Sequence, residues 1–468
     1  MSALSTKVED NDAAKQFAAF VESFSLSKVP DEVISRAKLS ILDAFGIGLA
    51  SKNYEFAQSA TMAISELGGR GDYPIIGSNL RLPQRDATHL NSILIHGLDF
   101  DDTHSEAVVH TSASAVPTML ISGLAVEANG AQALGSFIIG SESSSRIGAA
   151  ARGGFHDKGF HPTGVVGAFG CTLAGGYLYG LEHEQLLDAQ GIVLSKASGS
   201  LQFLDDGAWT KRSHPGWACA CAHTAVIMSK HGYFGPRDPY FGRYGLFALY
   251  TPTEIRVNAE ILTQNLGKHW EMGNIGFKPY PACHLTHAFA DAALILKKRH
   301  SLDIQDIDAI VAYVHENEIP VICEPSANKI QPQNAYDAQF SVNYLIAASL
   351  VRNRFGLAEL EDDALNDSEI LELCAKTSYQ RDPDSAYPNY YSGAVDILTQ
   401  DGKCYHQREQ MHRGSAQNPM SEGDLQDKFL DNATRTINRH QAEKVMALVL
   451  DLENAKNLKP LAEALTID

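Results

Sequence analysis

The sequence has few cysteines for its length, and they follow no regular arrangement. Seven cysteines are scattered through 468 residues, and an odd number at irregular spacing is not a disulfide framework. The chain also contains no apolar run long enough to span a bilayer. Its first twelve residues are polar and lack the apolar core of a signal peptide. These absences predict a cytoplasmic protein.

Basic residues are scarce as well. The sequence has 38 Lys and Arg against 56 Asp and Glu, a formal net charge of -18, which disfavours nucleic acid and anionic membranes as partners. No GxGxxG follows a strand and no phosphate-binding loop is present. Any Lys or Arg inside a Gly-rich or aromatic motif is therefore a candidate for binding a small anion.

Apolar periodicity predicts a mainly α fold. Apolar residues fall on one helical face over 17–24 and again over 34–48, after a Pro and an Asp that suit a helix start. The stretches 112–128 and 164–181 are rich in small residues, which favours closely packed helices. The first half of the chain therefore predicts a large all-helical domain.

The pattern changes near residue 270. Residues 310–314 predict a strand, and 394–406 predict a hairpin around Asp401 and Gly402. A helix is predicted between them over 337–351, and another over 440–453 in the tail. We expect two domains, which are a helical domain at 1–272 with 408–468 and a smaller α+β domain at 273–407.

The densest polar segment lies between residues 96 and 110. It combines imidazoles, carboxylates and a hydroxyl at His96, Asp99, Asp101, Asp102, Thr103, His104 and His110. Such a cluster is typical of general acid/base catalysis, where a carboxylate orients an imidazole. Asp and His are also metal ligands, and Asp-Asp-Thr commonly opens a helix. The sequence leaves catalysis, metal binding and helix capping open.

Two further segments place single polar residues beside helices or aromatic rings. His161 precedes Pro162 and a Gly-rich helix, so it is expected at that helix's N-terminal end, where the dipole favours a neutral imidazole and binds anions. Lys211 lies between two Trp residues, which suggests carboxylate recognition. The alternatives are a His packed in a turn and a surface loop with Trp anchors. The nearby Cys219–His223 spacing does not converge on zinc.

A fourth segment is stiffened by proline and begins at Lys278. Lys278 and Tyr280 offer a charge and a phenol, while Cys283 favours a buried apolar role over a nucleophilic one. His284 and His287 are one helical turn apart. Capping and packing are the alternative interpretation of this segment.

These four segments, in this order, resemble the signature blocks of the MmgE/PrpD family. The matching runs are GLDFDDTH, FHPTGVVGAFG, WTKRSHPGWA and KPYPACHLTHAFADAA. The resemblance extends over nearly the whole chain. It implies a homodimer, a large helical domain with a smaller α+β domain, and catalysis without metal or organic cofactor.

The resemblance also implies site residues. As catalytic residues it implies His110, His161, Asp99, Thr103 and Tyr344. As substrate-binding residues we expect Lys211, Lys278, His104, Tyr280 and Cys283. No metal ligand is expected. The imidazoles would transfer protons while the lysines hold carboxylates and stabilise developing negative charge.

Known family activities are 2-methylcitrate dehydration, cis-aconitate decarboxylation and iminodisuccinate epimerisation. The run DTHSEAVVH at 102–110 resembles the fungal aconitate decarboxylases, whereas Cys283 stands where mammalian decarboxylases have His. We expect a cofactor-free lyase for a small di- or tricarboxylate, either aconitate decarboxylase-like or 2-methylcitrate/alkylcitrate dehydratase-like. The alternatives are a dicarboxylate epimerase, a metalloenzyme, and a non-catalytic polycarboxylate-binding protein.

Overall fold

The computed structural model describes residues 12–204, 207–387 and 390–467. It is mainly helical, with 59% helix and 9% strand, so the mainly α prediction is confirmed at this level. The chain divides into two compact units, which are described separately: a first unit of Met1–Ile275 with Glu422–Asp468 and a second unit of Gly276–Ser421. The polar residues 1–11, used to predict the location of the protein, lie outside the described residues.

The first unit begins with a series of helices that bury small and apolar side chains. Those up to residue 275 in the described part are α1 (Ala13–Ser23), α2 (Asp31–Ser51), α3 (Glu55–Gly68), α4 (Gln84–His96), α5 (Thr111–Ala125), α6 (Gly130–Ala150), α7 (Gly154–Asp157), α8 (Pro162–Tyr179), α9 (His183–Leu194), α10 (Thr210–Lys230), α11 (Leu246–Tyr250) and α12 (Ala259–Thr263). The helices predicted near 17–24, 34–48, 112–128 and 164–181 are confirmed.

Small residues allow the central helices of this unit to approach closely. On α8, Gly170 faces α6, and a Cβ there would lie 2.1 Å from Ser144 Oγ and 2.4 Å from the carbonyl oxygen of Gly140. Only glycine permits that separation. The ends of α8 are also set by sequence, since Pro162 occupies its first turn and Gly180 follows it in the left-handed conformation.

Short strands interrupt the helices of the first unit. They are β1 (Tyr73–Pro74), β2 (Arg81–Leu82) and β3 (Thr103–His104), and β1 pairs antiparallel with β2. The prediction of an all-helical domain is therefore wrong in this detail. Two-residue strands carry no alternating apolar pattern long enough to be recognised in sequence.

The second unit is built on a four-stranded sheet. Strand β4 (Ile275–Gly276) lies at the boundary between the units, and the sheet strands are β5 (Ile307–Val314), β6 (Thr377–Arg381), β7 (Gly393–Thr399) and β8 (Cys404–Glu409). Their order is β6-β5-β7-β8, with β5 parallel to β6 and the other neighbours antiparallel. The predicted strand at 310–314 and the predicted hairpin at 394–406 are confirmed.

Helices accompany this sheet. Their ranges are α13 (His287–His300), α14 (Ile319–Ile322), α15 (Ser326–Ile330), α16 (Ala335–Gln339), α17 (Val342–Arg352), α18 (Asp362–Leu365) and α19 (Ser368–Ala375). The single helix predicted over 337–351 is wrong, because α16 ends before Ser341 and α17 begins after it. The Ser341 hydroxyl accepts a hydrogen bond from the Tyr344 N–H and so caps α17.

The chain returns to the first unit with α20 (Glu422–Ala433), α21 (Arg439–Leu450) and α22 (Lys459–Ala464). Helix α20 packs closely on α2, where a Cβ on Gly46 would lie 3.0 Å from the Phe429 ring. The helix predicted over 440–453 is confirmed as α21, although it ends three residues earlier. Among the described residues, no helix combines the length and apolarity that a membrane crossing requires.

Candidate active site

The loop between α4 and α5 carries most of the predicted polar residues of the first unit. Asp99 and Val108 both have positive φ, at 51° and 55°. A side chain in the left-handed region costs about 1–2 kcal/mol, so surrounding contacts must hold this backbone in place. Such strain concentrates at functional sites.

Asp101 lies between two imidazoles of this unit. Its Oδ2 is 2.8 Å from His96 Nδ1, and its Oδ1 is 3.6 Å from His110 Nδ1. Burial alone would raise the pKa of Asp101, but His96 and His110 outweigh it and hold that pKa well below its usual range. Asp101 is therefore an ionised, fully buried carboxylate that accepts a hydrogen bond from His96.

The protonation pattern of His110 follows from its neighbours. Its Nδ1 lies 2.9 Å from the carbonyl oxygen of Asp102, and a carbonyl only accepts hydrogen bonds. His110 Nδ1 therefore carries a proton, and the lone pair of the neutral ring lies on Nε2. The side chain is 12% exposed, and Thr103 Oγ1 is 3.3 Å from the same Nδ1. His110 is oriented for proton transfer through Nε2.

Asp102 has a different role from its neighbour. It accepts hydrogen bonds from the Ser112 backbone N–H at 3.1 Å and from the Ser112 hydroxyl at 2.5 Å, which caps the start of α5. Burial raises the pKa of Asp102 to about 7, against the lowering effect of the Ser112 hydrogen bonds. The helix start expected at Asp-Asp-Thr is not found, since α5 begins at Thr111, and Asp102 bonds instead to the second residue of that helix.

His161 lies at the N-terminal end of α8, as predicted. Its backbone N–H donates to the Gly199 carbonyl at 2.8 Å, and its Nδ1 is 3.2 Å from His214 Nδ1. Burial, together with the nearby His96, Lys211 and His110, holds the pKa of His161 well below its usual range. Burial also lowers the pKa of His214 to about 4. Both rings are neutral near pH 7, and one donates to the other.

These imidazoles form one cluster in the first unit. The ring centroid of His96 lies 4.9 Å from that of His110 and 5.6 Å from that of His161. The centroids of His110 and His161 are 6.4 Å apart. The structure therefore brings together His110 and His161, which were predicted as site residues, with His96, which was part of the polar cluster but was given no role, and with His214, which was not predicted. His96 is fully buried, and its Nε2 has no hydrogen-bond partner among the described residues.

Lys211 is in the first turn of α10 and pairs with Asp99. Its Nζ donates to Asp99 Oδ1 at 2.6 Å, and the two side chains remain 24% and 29% exposed. A cation at a helix N-terminus is opposed by the helix dipole, so this position is not explained by helix stability. The adjacent Arg212 donates to the Gly97 carbonyl at 2.8 Å. We infer that Arg212 supports the loop and that Lys211 is the cation available to an anion.

His104 lies away from solvent. It is 1% exposed, its Nε2 is 3.0 Å from Glu271 Oε2, and its Nδ1 accepts from the Ala107 N–H. The hydrogen bond from His104 holds the pKa of Glu271 at about 2. Both ring nitrogens therefore have protein partners, which favours a role in holding the loop over the predicted contact with substrate.

A metal site is the chemical alternative for this cluster. In the part of the chain that the structure describes, one group, consisting of His96, Asp101 and His110, has ligand atoms all within 4.8 Å of one another. His110 Nδ1 donates to the Asp102 carbonyl, so His110 offers a lone pair through Nε2 alone. This bond orients Nε2 equally for proton exchange and for a metal ion, and activity after chelation is the observation that separates the two roles.

The remaining predicted residues belong to the second unit. Lys278 is 4% exposed, and Cys283 is half-buried. Tyr280 donates to Asp291 Oδ1 at 2.6 Å, and burial raises its pKa. Tyr344 is fully buried and donates to the Glu359 carbonyl at 2.7 Å. That last bond favours a packing role for Tyr344.

Comparisons with known proteins agree with the order of the sequence blocks. Residues 15–257 match the family model of the MmgE/PrpD N-terminal domain, and residues 280–454 match that of the MmgE/PrpD C-terminal domain. A cis-aconitate decarboxylase of Mus musculus is 25% identical over 96% of this chain and 93% of its own length. The Homo sapiens enzyme is 25% identical over 96% and 94%, and an Aspergillus terreus enzyme is 25% identical over 95% and 94%.

Proposed function

Because the chain belongs to the MmgE/PrpD family, we propose that it is a cofactor-free lyase for a small tricarboxylate of the cis-aconitate class. Decarboxylation is the first candidate reaction, since these three relatives are named cis-aconitate decarboxylases. Each of them aligns with this chain over nearly its whole length. We also propose a homodimer and a cytoplasmic location, as the family resemblance and the cysteine pattern imply.

The observation that carries this proposal is the arrangement of hydrogen-bond donors and acceptors around His110. Its Nδ1–H donates to the Asp102 carbonyl, so Nε2 is the atom that gains or loses a proton. His96 and His161 lie beside it, and Asp101 is an ionised carboxylate between His96 and His110. General acid/base catalysis requires this combination of a titrating ring and a fixed orienting group.

The proposed reaction begins when the C–C bond to one carboxylate breaks and releases CO2. The bonding electrons remain on the organic fragment as a carbanion, which is delocalised into the neighbouring unsaturated acid. The carbanion then takes one proton at carbon, and we propose that protonated His110 Nε2 donates it. Solvent returns the proton to His110, so the atoms and charges balance without an oxidant or reductant.

Lys211 supplies the positive charge in this proposal. A carboxylate of the substrate would accept a second N–H of this ammonium while Asp99 keeps the first. That ammonium would also stabilise the charge that develops as CO2 leaves. His161 and His214 are neutral. The ring that accepts in their Nδ1–Nδ1 bond carries its proton on Nε2, and it can donate that proton in a hydrogen bond without adding charge. The substrate-binding role of Lys278, in the second unit, stays a prediction from the sequence resemblance.

The test is incubation of the protein with cis-aconitate, 2-methylcitrate and iminodisuccinate in deuterated water, followed by NMR. Loss of CO2 with one deuterium on the product carbon is expected for cis-aconitate. Loss of water from 2-methylcitrate would indicate the dehydratase activity, and deuterium exchange with inversion would indicate an epimerase. No reaction with any acid would contradict the lyase proposal. A parallel assay after exhaustive chelation should retain full activity.

A further inference from the structure

A buried lysine from the C-terminal part of the chain reaches the candidate site loop. Lys428 lies on α20 and is 8% exposed. Its Nζ is 2.8 Å from Asp43 Oδ1 on α2 and donates to the Phe100 carbonyl at 2.9 Å. The same ammonium lies 3.8 Å from the centroid of the Phe100 ring. A carboxylate, a carbonyl and a ring face thus surround a group that has three N–H donors.

The contact between Lys428 and Phe100 falls on the residue that separates two site carboxylates. Phe100 stands between Asp99, which pairs with Lys211, and Asp101, which pairs with His96. The backbone at Asp99 is in the left-handed conformation, and such a conformation persists only when surrounding contacts hold it. Lys428 contacts both the backbone and the side chain of Phe100, so its ammonium restrains the loop between the two carboxylates.

The burial of this lysine has no evident advantage for stability alone. Removing an ammonium and a carboxylate from water costs several kcal/mol for each ion, and an apolar pair of similar volume is often at least as stable. Burial lowers the pKa of Lys428, and Asp43, Asp101 and Asp102 oppose that change. Asp101 in turn interacts with His96 on α4, with His110 at the start of α5 and with Asp99, and Asp102 interacts with Arg36 on α2.

We propose that Lys428 is a positioning residue for the reaction, which holds Phe100 so that Asp99 faces Lys211 and Asp101 faces His96. This inference rests on the proposed function, because it assigns Lys428 an effect on groups that the proposed function uses. A displacement of about 1 Å in such groups reduces a rate by about a hundredfold. Loss of the Lys428 ammonium should therefore lower kcat by more than any change in the folded fraction of the protein explains.

The chain offers a matched control for this lysine. Lys329, in the second unit, is 7% exposed and donates to two backbone carbonyls, those of Val321 at 3.0 Å and Phe340 at 2.8 Å. Its replacement removes a buried ammonium and leaves two carbonyls without that donor, whereas replacement of Lys428 leaves one carbonyl and the Asp43 carboxylate. Lys329→Met therefore measures the general cost of losing a buried lysine.

The experiment compares Lys428→Met, Lys428→Arg and Lys329→Met in the full-length protein. We expect Lys428→Met to lower kcat about tenfold or more, and Lys428→Arg to recover most of that loss because it keeps the charge and donors. Lys329→Met should lower the melting temperature and leave kcat unchanged. If Lys428→Met does not fold, Phe100→Leu removes the ring contact and should give a smaller fall in kcat.

A second readout does not depend on any substrate. Nitrogen-15 NMR of the imidazoles reports which ring nitrogen of His96 and His110 carries the proton. Lys428→Met should shift both sets of signals, whereas Lys329→Met should leave them in place. Unchanged signals and wild-type kcat in Lys428→Met would overturn the inference. If the wild-type protein converts none of the acids, the proposed function fails, and the NMR comparison still decides the role of Lys428.

Discussion

A single carbonyl group decides how His110 can act. Because the Asp102 carbonyl accepts from Nδ1, proton exchange of His110 is restricted to Nε2. Asp101 and Asp102 are adjacent in sequence, yet the first is held ionised by two imidazoles while burial raises the pKa of the second to about 7. Environment, and not residue type, separates their roles.

Replacement of His110 tests this assignment. His110→Gln keeps a polar side chain but cannot exchange a proton, so we expect kcat to fall by about 10²–10⁴. His183→Gln is the control and should leave kcat unchanged, since His183 is a partly exposed side chain whose Nδ1 lies 2.9 Å from Glu22 Oε2. Steady-state kinetics on the acid that the wild-type protein converts provide the measurement. Wild-type kcat in His110→Gln would remove His110 from the mechanism.

Replacement of His104, unlike that of His110, should affect stability and not the reaction. Because both ring nitrogens have protein partners, His104→Gln should lower the free energy of unfolding by about 1–3 kcal/mol and leave KM within about twofold of wild type. Glu271→Gln alters the same hydrogen bond from the other side and should behave alike. Urea unfolding and kinetics measure the two effects. A large rise in KM at unchanged stability would instead place His104 in contact with substrate.

At this scale the sequence predicts the residue types better than their partners. The dense run at 96–110 indicated acid/base chemistry, and His161 was placed correctly at a helix end by the proline that follows it. The pairing of His96 with Asp101 was missed, because it depends on a loop with two left-handed residues that no sequence pattern predicts. His214 was missed because its partner, His161, is 53 residues away in sequence.

Among the elements, the break between α16 and α17 shows how one hydroxyl overrides periodicity. Apolar spacing runs through 337–351 without interruption, yet the Ser341 hydroxyl accepts from the Tyr344 N–H and donates to the Lys329 carbonyl. Local side-chain bonding competes with helix continuation. The sequence therefore predicted the helix α17 but not its start.

Removal of this hydroxyl should be costly. Ser341→Ala leaves a buried N–H and a buried carbonyl without their partner, so we expect a loss of about 2 kcal/mol in the free energy of unfolding. Ser65→Ala is the control and should cost much less, because the single partner of the Ser65 hydroxyl among the described residues is the Thr61 carbonyl of its own helix. Urea unfolding compares the two. Equal effects would mean that Ser341 does not cap α17.

At the scale of the whole molecule, buried titrating groups link stability to pH with opposite signs. Burial lowers the pKa of His412 to about 4, while the unfolded chain takes up that proton near 6.5. This group therefore contributes stability at neutral pH that is lost as the pH falls through that window. Burial raises the pKa of Glu318 to about 7, so this group contributes stability below its unfolded pKa that is lost as the pH rises.

Two substitutions separate these contributions. His412→Phe should make stability fall less between pH 7 and pH 5 than in the wild-type protein. Glu318→Gln should make it fall more, and should raise stability at pH 8, because both carboxylate oxygens lack hydrogen-bond partners among the described residues. Each change in slope should reach at most about 1.4 kcal/mol per pH unit. Urea unfolding at several pH values measures these changes in slope. If both substitutions changed the slope in the same direction, the assignment would be contradicted.

The return of the chain to its first unit has a consequence for biosynthesis. The loop that carries Asp99 and Asp101 leaves the ribosome more than three hundred residues before Lys428, which contacts its centre. During that interval α2 has neither Phe429 nor Lys428 against it, and its buried Asp43 has no cation. The nascent chain therefore carries an unfinished site until α20 has been synthesised. Activity should appear only after α20 has left the ribosome, and the growing chain is until then a natural client for chaperones.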